Sequence, residues 1–189
     1  MVTPYLFLLG LVAAERLFEV GLSRRHAAWA FERDGKEFGQ GHYFFMKALH
    51  AGFLFSCGAE VVLLDRPFIP VLGYPMLCLA LAAMALRYWA VLTLGPYWNI
   101  RVIVVPGAKP VTGGPYRYLR HPNYVAVIME GLAIPLIHTA WLTAIGFSLL
   151  NAWILRTRIR CEENALAAHC GYAEHLGDRR RFIPARPSA

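Results

Sequence analysis

The sequence predicts an all-α, polytopic integral membrane protein with five transmembrane helices, the last two a helical hairpin, followed by a cytoplasmic helical segment. Composition is the first observation: of 189 residues, 57% are apolar or aromatic and only 16% are charged. Water-soluble domains hold about 45–50% apolar and roughly 25% charged residues. The second is patterning, since the apolar residues lie in long blocks parted by short basic segments. The third is the side on which those basic segments fall.

A helix needs roughly 20 mainly apolar residues to cross about 30 Å of hydrocarbon. Thr3–Leu22, His42–Leu64 and Phe68–Leu94 meet that length, the last with enough to tilt. The next block, Asn123–Leu155, has Pro135, His138 and Thr139 near its middle. At 1.5 Å per residue it would be about 50 Å long if straight. It reads as two antiparallel halves, Asn123–Ile137 and Ala140–Leu155.

Five spans put Arg24, Arg25, Arg33 and Lys36 (loop 23–41) on one side with Arg101, Lys109, Arg117 and Arg120 (loop 95–121). The tail adds Arg156, Arg158, Arg160, Arg179, Arg180, Arg181 and Arg186 to that side, and only Arg66 falls opposite. Basic residues collect in cytoplasmic loops, so the amino terminus is expected outside and the carboxyl terminus inside. A four-span arrangement would separate the tail from the other basic loops. The net charge of +7 is then explained without nucleic acid. The composition suits a bacterial cytoplasmic membrane.

Cys57, Cys78, Cys161 and Cys170 form no close pair and no CxxC, so neither a disulfide framework nor a metal site is expected. No basic residue precedes the first apolar block, which argues against a cleavable leader. Within the spans stand Glu15, Arg16, Glu19, Lys47, Glu60, Arg87 and Glu130. Each is costly in lipid and must face protein or a watery cavity. Both an ion-pair network joining spans and the lining of a polar cavity are open readings.

Chemistry concentrates in two stretches on the basic side. In residues 95–124, Gly107, Gly113 and Gly114 permit close backbone approach, while Pro106, Pro110, Pro115 and Pro122 restrict φ. A rigid loop with free backbone donors and acceptors is expected there. Pro122 suits the first turn of the following helix, which places His121 at that helix's mouth. The second stretch, Arg156–Pro184, reads as a helix leaving the membrane. On it Arg158 and Glu162 are four residues apart and share a face, with Glu163 beside them.

The set Gly114-Pro115-Tyr116, Arg120-His121-Pro122-Asn123-Tyr124, a helical hairpin, Arg158, Glu162-Glu163, Leu166, Gly171 and Tyr172 resembles the isoprenylcysteine carboxyl methyltransferases. These lie within the wider superfamily of membrane phospholipid methyltransferases and sterol reductases. The likeness spans about residues 95–184, and the first three spans match only in size and number. It divides the chain into three N-terminal helices (1–94) and a methyltransferase core (95–189).

The resemblance implies an enzyme that binds S-adenosyl-L-methionine, the methyl donor, under its carboxyl-terminal segment and receives a lipophilic acceptor from the bilayer. Carried over by position, Ala108, Lys109, Pro110, Val111, Tyr116, His121, Pro122, Asn123, Tyr124 and Glu162 match cofactor-binding positions. Arg101 lies near a further one. Arg158 matches the arginine that holds the substrate carboxylate, so Arg158 and Glu162 are the expected catalytic pair. Tyr116 or Tyr124 is expected to pack on adenine, or to anchor at the interface. A carboxylate acceptor is already ionised at neutral pH and needs no base. A phenol or enol, such as an alkylpyrone, would draw on His121, Glu162 or Glu163. A phospholipid amine methyltransferase, a sterol-type NADPH reductase and a non-enzymatic module that binds anionic headgroups remain as alternatives.

Overall fold

The computed structural model describes residues 2–172 and 179–183; Pro184 and Arg186 lie outside the described residues. Helices stand at all five predicted blocks: α1 (Val2–Phe31), α2 (Gln40–Leu63), α3 (Pro70–Leu94), α4 (Pro122–Leu136) and α5 (Trp141–Cys170). Pro70 and Pro122 each open a helix at its first turn, where a missing N–H costs nothing.

Two expectations need correction. Residues 23–31 are the continuation of α1, not loop, so Arg24 and Arg25 lie on helix. Nothing in Ser-Arg-Arg-His-Ala-Ala-Trp-Ala-Phe breaks a helix, and the chain turns only near Asp34, whose φ is 59°. The fold is also not purely helical. Lys36–Phe38 (β1) pairs antiparallel with Val102–Val104 (β2), Lys36 opposite Val104 and Phe38 opposite Val102. The β-branched run Val-Ile-Val-Val suits such a strand. By contrast α5 continues unbroken from the hairpin through the exit segment, 30 residues in all.

Two segments, Tyr43–Leu63 and Pro70–Tyr97, are long and apolar enough to cross a membrane. Large apolar side chains nonetheless face outward on other helices too, including Phe7, Phe18, Leu149 and Trp153. The interior is built toward the hairpin-bend end from Tyr5, Leu9, Val12, Phe53, Cys57 and Val61 of α1 and α2, with Ile134, Ile137 and Phe147 closing it from the hairpin. Helix α3 lies along α4, and its buried positions Gly73, Ala80, Ala83 and Ala90 are small, which lets backbones approach closely.

The hairpin bends because Pro135 removes a helical donor near the end of α4 and Thr139 takes φ 53°. Tyr5 donates its hydroxyl to the Ile134 carbonyl at 3.1 Å. Thr139 Oγ1 donates to Pro67 O at 2.8 Å, tying this bend to the α2–α3 turn. Glu60 of α2 accepts from the backbone N–H groups of Leu142 (3.1 Å) and Thr143 (2.7 Å). It therefore caps α5 from another helix, where a negative charge is favoured by the free N–H groups, and pairs with Arg66 at 2.9 Å.

The charges inside the helices resolve mainly into a network. Arg87 of α3 binds Glu130 of α4 through both Nε and Nη2. Arg16 of α1 binds Glu19 at 2.5 Å and Glu130 at 2.9 Å. Three helices are thus joined through one carboxylate. Removing one partner of such a pair leaves a buried charge uncompensated, at a cost of about 3–5 kcal/mol.

Gly131 gives a direct test of hairpin packing. A Cβ there would stand 2.3 Å from Phe147 Cε1, whereas one at Gly10 meets nothing within 4 Å. Overpacking typically costs about 1–3 kcal/mol. Gly131→Ala is expected to lower the unfolding midpoint in detergent and Gly10→Ala to hold or raise it; equal midpoints would refute this packing.

Candidate active site

The site forms where the open end of the hairpin meets the Gly/Pro-rich loop. Loop 95–111 is fastened first to α1. Asn99 Nδ2 donates to Ser23 O at 3.0 Å, Ser23 Oγ donates to Asn99 Oδ1 at 2.8 Å, and Ile100 N donates to Ser23 Oγ at 3.2 Å. Arg101, just before β2, pairs with Glu37 of β1 at 2.9 Å. The end of α5 holds the loop from the other side: Gly107 N donates to His169 O at 2.9 Å. Gly114 takes φ 51°, and a Cβ there would lie 2.4 Å from Thr93 Oγ1, so glycine is required for the turn into Pro115-Tyr116.

A cavity opens between this loop, the start of α4 and the last turns of α5. Ala108, Lys109, Pro110, Val111, Tyr116, His121, Asn123, Tyr124, Arg158 and Glu162 all line it, as does Arg101. Of the residues matched to cofactor positions Pro122 alone does not, being fully buried in the first turn of α4, and Glu163 beside Glu162 also lies outside the lining. Two residues expected merely to share a face are instead joined through a third. Arg158 Nε donates to Tyr124 Oη at 2.7 Å, and Tyr124 Oη donates to Glu162 Oε2. Arg158 is 5% exposed; its Nη1 reaches Met46 Sδ of α2 at 3.4 Å. Tyr124 is thereby held by both ends of the expected catalytic pair, with its ring tilted 31° to that of His121 at 5.2 Å.

His121 sits at the mouth of α4 and meets Glu163 Oε1 at 3.0 Å through Nε2. Arg181 closes on the same carboxylate at 3.0 Å and 2.5 Å. Burial pushes the Glu163 carboxyl up, but hydrogen bonds from His121 and Arg181 and their charges outweigh it and hold it down at about 2. Residues 179–181 also strap the loop, since Arg120 N donates to Arg180 O at 3.1 Å and Arg179 donates to the Tyr116 carbonyl. Burial raises the phenols of Tyr116 and Tyr172, so both are neutral hydroxyls at physiological pH.

Three buried polar atoms in the cavity wall make no hydrogen bond among the described residues: Trp98 Nε1, Asn123 Oδ1 and Tyr172 Oη. An unmet buried polar group costs about 1–3 kcal/mol. A polar ligand with both donors and acceptors would relieve that cost. No group of His, Cys, Asp and Glu able to hold a metal is found among the described residues.

Comparison with known proteins agrees with this arrangement. The model of the isoprenylcysteine carboxyl methyltransferase family matches residues 76–168, which include the hairpin, His121 and the Arg158–Glu162 turn. An uncharacterized Bacillus subtilis protein, YpbQ, is 38% identical over 84% of this chain and 94% of its own. The structure of the eukaryotic intramembrane Ras methyltransferase of that name superposes with a TM-score of 0.57 at 25% identity. The chain belongs to the isoprenylcysteine carboxyl methyltransferase family. It covers 52% of that solved chain, with 74% of its own length in the match. An uncharacterized Haemophilus influenzae protein is 23% identical over 82% of the chain and 91% of its own. Membership and the two long apolar helices make this a membrane protein.

Some lining residues of this family member escape sequence reasoning. Val102 and Val104 enter the wall through the small sheet, for which the β-branched run was the available signal. Trp98 and Cys170 stood in stretches already marked as dense in polar and special residues. Met46, which touches Arg158 without lining the cavity, carried no signal, because that contact is made across the fold.

The Glu163 latch has a defined pH dependence. Its carboxyl is depressed from 4.5 to about 2, so the link contributes fully above about pH 4.5 and is lost as pH falls through 2. Spin labels at positions 164 and 183 are expected to keep one narrow distance from pH 8 to 5 and to broaden below that window. Glu163→Gln should broaden it at pH 7, and an unchanged wild-type distance to well below pH 2 would remove the latch.

Proposed function

We propose that this protein is an integral membrane O-methyltransferase that uses S-adenosyl-L-methionine on a lipophilic acceptor bearing an ionisable oxygen. The observation that carries the reading is the cavity itself. It gathers the cofactor-type residues of the loop and the Arg158–Tyr124–Glu162 chain in one place, beside three unmet polar atoms. The membrane arrangement that goes with it has five spans, the amino terminus outside, and both the site and the carboxyl terminus on the cytoplasmic side with the basic loops. Outward-facing apolar side chains on α1 and α5, as well as on the two long apolar helices, support it.

The residues fit the cofactor in kind. Glu162 has a second carboxylate oxygen beside the one taken by Tyr124, and it suits an ammonium or ribose hydroxyl. Asn123 Oδ1 accepts and Trp98 Nε1 donates. Of the two tyrosines, Tyr116 is the better partner for adenine, because Tyr124 is held through its hydroxyl. When bound, the cofactor supplies a methyl group on a positively charged sulfur.

Arg158 holds the acceptor oxygen. Its guanidinium is fixed by Tyr124 on one side and Met46 on the other, which leaves little freedom to lose when an anion arrives. Positioning of this kind supplies up to roughly 7–11 kcal/mol of a reaction barrier. A carboxylate needs no proton removed. For a phenol or enol, His121 and Glu162 stand nearest in the cavity wall, and Glu163 is already committed to His121 and Arg181. The buried Arg158 favours an acidic oxygen over the amine of a phospholipid.

Calorimetry in detergent tests the reading. S-adenosylmethionine or its demethylated product is expected to bind and NADPH not to; the reverse would favour a reductase. Glu162→Gln should weaken cofactor binding about tenfold. Arg158→Ala should keep cofactor affinity within about threefold and lower turnover on an anionic acceptor by 100-fold or more, about 2.7 kcal/mol. Tyr124→Phe should lower turnover less, through Arg158. Full turnover in Arg158→Ala would remove its substrate role.

A further inference from the structure

A second hollow lies behind the cavity wall. Tyr124, which lines the cavity, packs against Leu155 and Ile159, and the far sides of those two residues line a separate groove of about 480 Å³. Its length is set by α5, where positions 148, 151, 152, 155, 156 and 159 recur every three or four residues and form one stripe. Ile128 and Phe147 complete an apolar floor, and Arg156, Arg160 and Arg181 stand at one end.

Three features identify what fits there. Arg156 and Arg160 have no carboxylate partner among the described residues, so the rim presents two uncompensated cations. From Arg156 down to Phe147 is about 13.5 Å at 1.5 Å per residue, enough to hold the ester region and the upper part of an acyl chain below a phosphate at the arginines. Between them stands Asn151, 3% exposed and lining the groove, its side chain without a hydrogen bond among the described residues. It lies about 7.5 Å below Arg156 along the helix. That is the level of ester carbonyls beneath a phosphate.

We propose that the groove seats an anionic phospholipid of the surrounding leaflet, its phosphate between Arg156 and Arg160, its ester group at Asn151 and one acyl chain along Ile128 and Phe147. It is a resident lipid and not the acceptor, because Tyr124 with Leu155 and Ile159 separates it from Arg158. The site rests on the membrane reading above and is independent of the cofactor and acceptor. Arg181 lines the groove while gripping Glu163, so the bound lipid adjoins the latch on His121. Anionic headgroups are drawn to basic residues at a membrane surface, and the apolar groove adds the selectivity for a lipid over free phosphate.

The test uses the full chain in nanodiscs of phosphatidylcholine containing three parts in ten phosphatidylglycerol, followed by detergent extraction and native mass spectrometry. Wild type is expected to retain phosphatidylglycerol, and excess inorganic phosphate is expected not to displace it. Arg156→Gln with Arg160→Gln should lower retention at least tenfold, and Asn151→Leu, which changes no charge, at least threefold. Arg24→Gln with Arg25→Gln removes two exposed charges elsewhere and should leave retention unchanged. Equal retention in the Arg156/Arg160 variant, or equal loss in the Arg24/Arg25 variant, overturns the proposal. Circular dichroism on each variant guards against misfolding. Cofactor titration of the same samples separates the two readings: a wild type that fails to bind cofactor but keeps its lipid sinks the enzyme assignment alone.

Discussion

The hydroxyl of Tyr124 is the point on which the site depends. It receives a hydrogen bond from Arg158 and gives one to Glu162, so the first turn of α4 and two successive turns of α5 are locked by one atom. A buried guanidinium needs such partners, since burying an unsatisfied charge is far costlier than burying an apolar group. Arg158 therefore cannot stay where it is unless α4 starts where it does. That start is set by Pro122, and His121 just before it is set by Glu163. The chain of dependence runs from a helix boundary to the orientation of the Arg158 guanidinium.

The depth of the fold is governed by the same constraint. Glu130 receives Arg87 and Arg16 together and ties α1, α3 and α4 beneath the site. Pairs of this kind add little net stability over apolar packing, but they penalise any arrangement that separates the partners. Glu60 does the corresponding work at the opposite end, capping α5 from α2. Polar groups at two levels of an otherwise apolar bundle thus fix how the helices sit against one another, which uniform apolar surfaces do not.

Much of this was legible in the chain. Block lengths located the five helices, because 3.6-residue helices in an apolar setting leave little choice of form. Pro122 and the spacing of Arg158 and Glu162 foretold a helix start and a shared face. Residues 23–31 were misread as loop because charge was taken as the end of a helix, whereas backbone hydrogen bonds continue regardless of what the side chains carry. The pairing of β1 with β2 was missed because each strand has three residues, too few for a period-two pattern, and neither pairs with a sequence neighbour.

The sequence by itself determined which segments are helical and which residues are chemically equipped, since these follow from local periodicity and side-chain chemistry. Tertiary structure alone decided that Tyr124 stands between Arg158 and Glu162, that Met46 closes on the arginine from α2, that Glu60 caps a helix 82 residues away, and that a groove lies behind the cavity wall. Those relations depend on the rotation of each helix about its axis. That rotation is set by long-range packing and buried hydrogen bonds, which no local window of sequence contains.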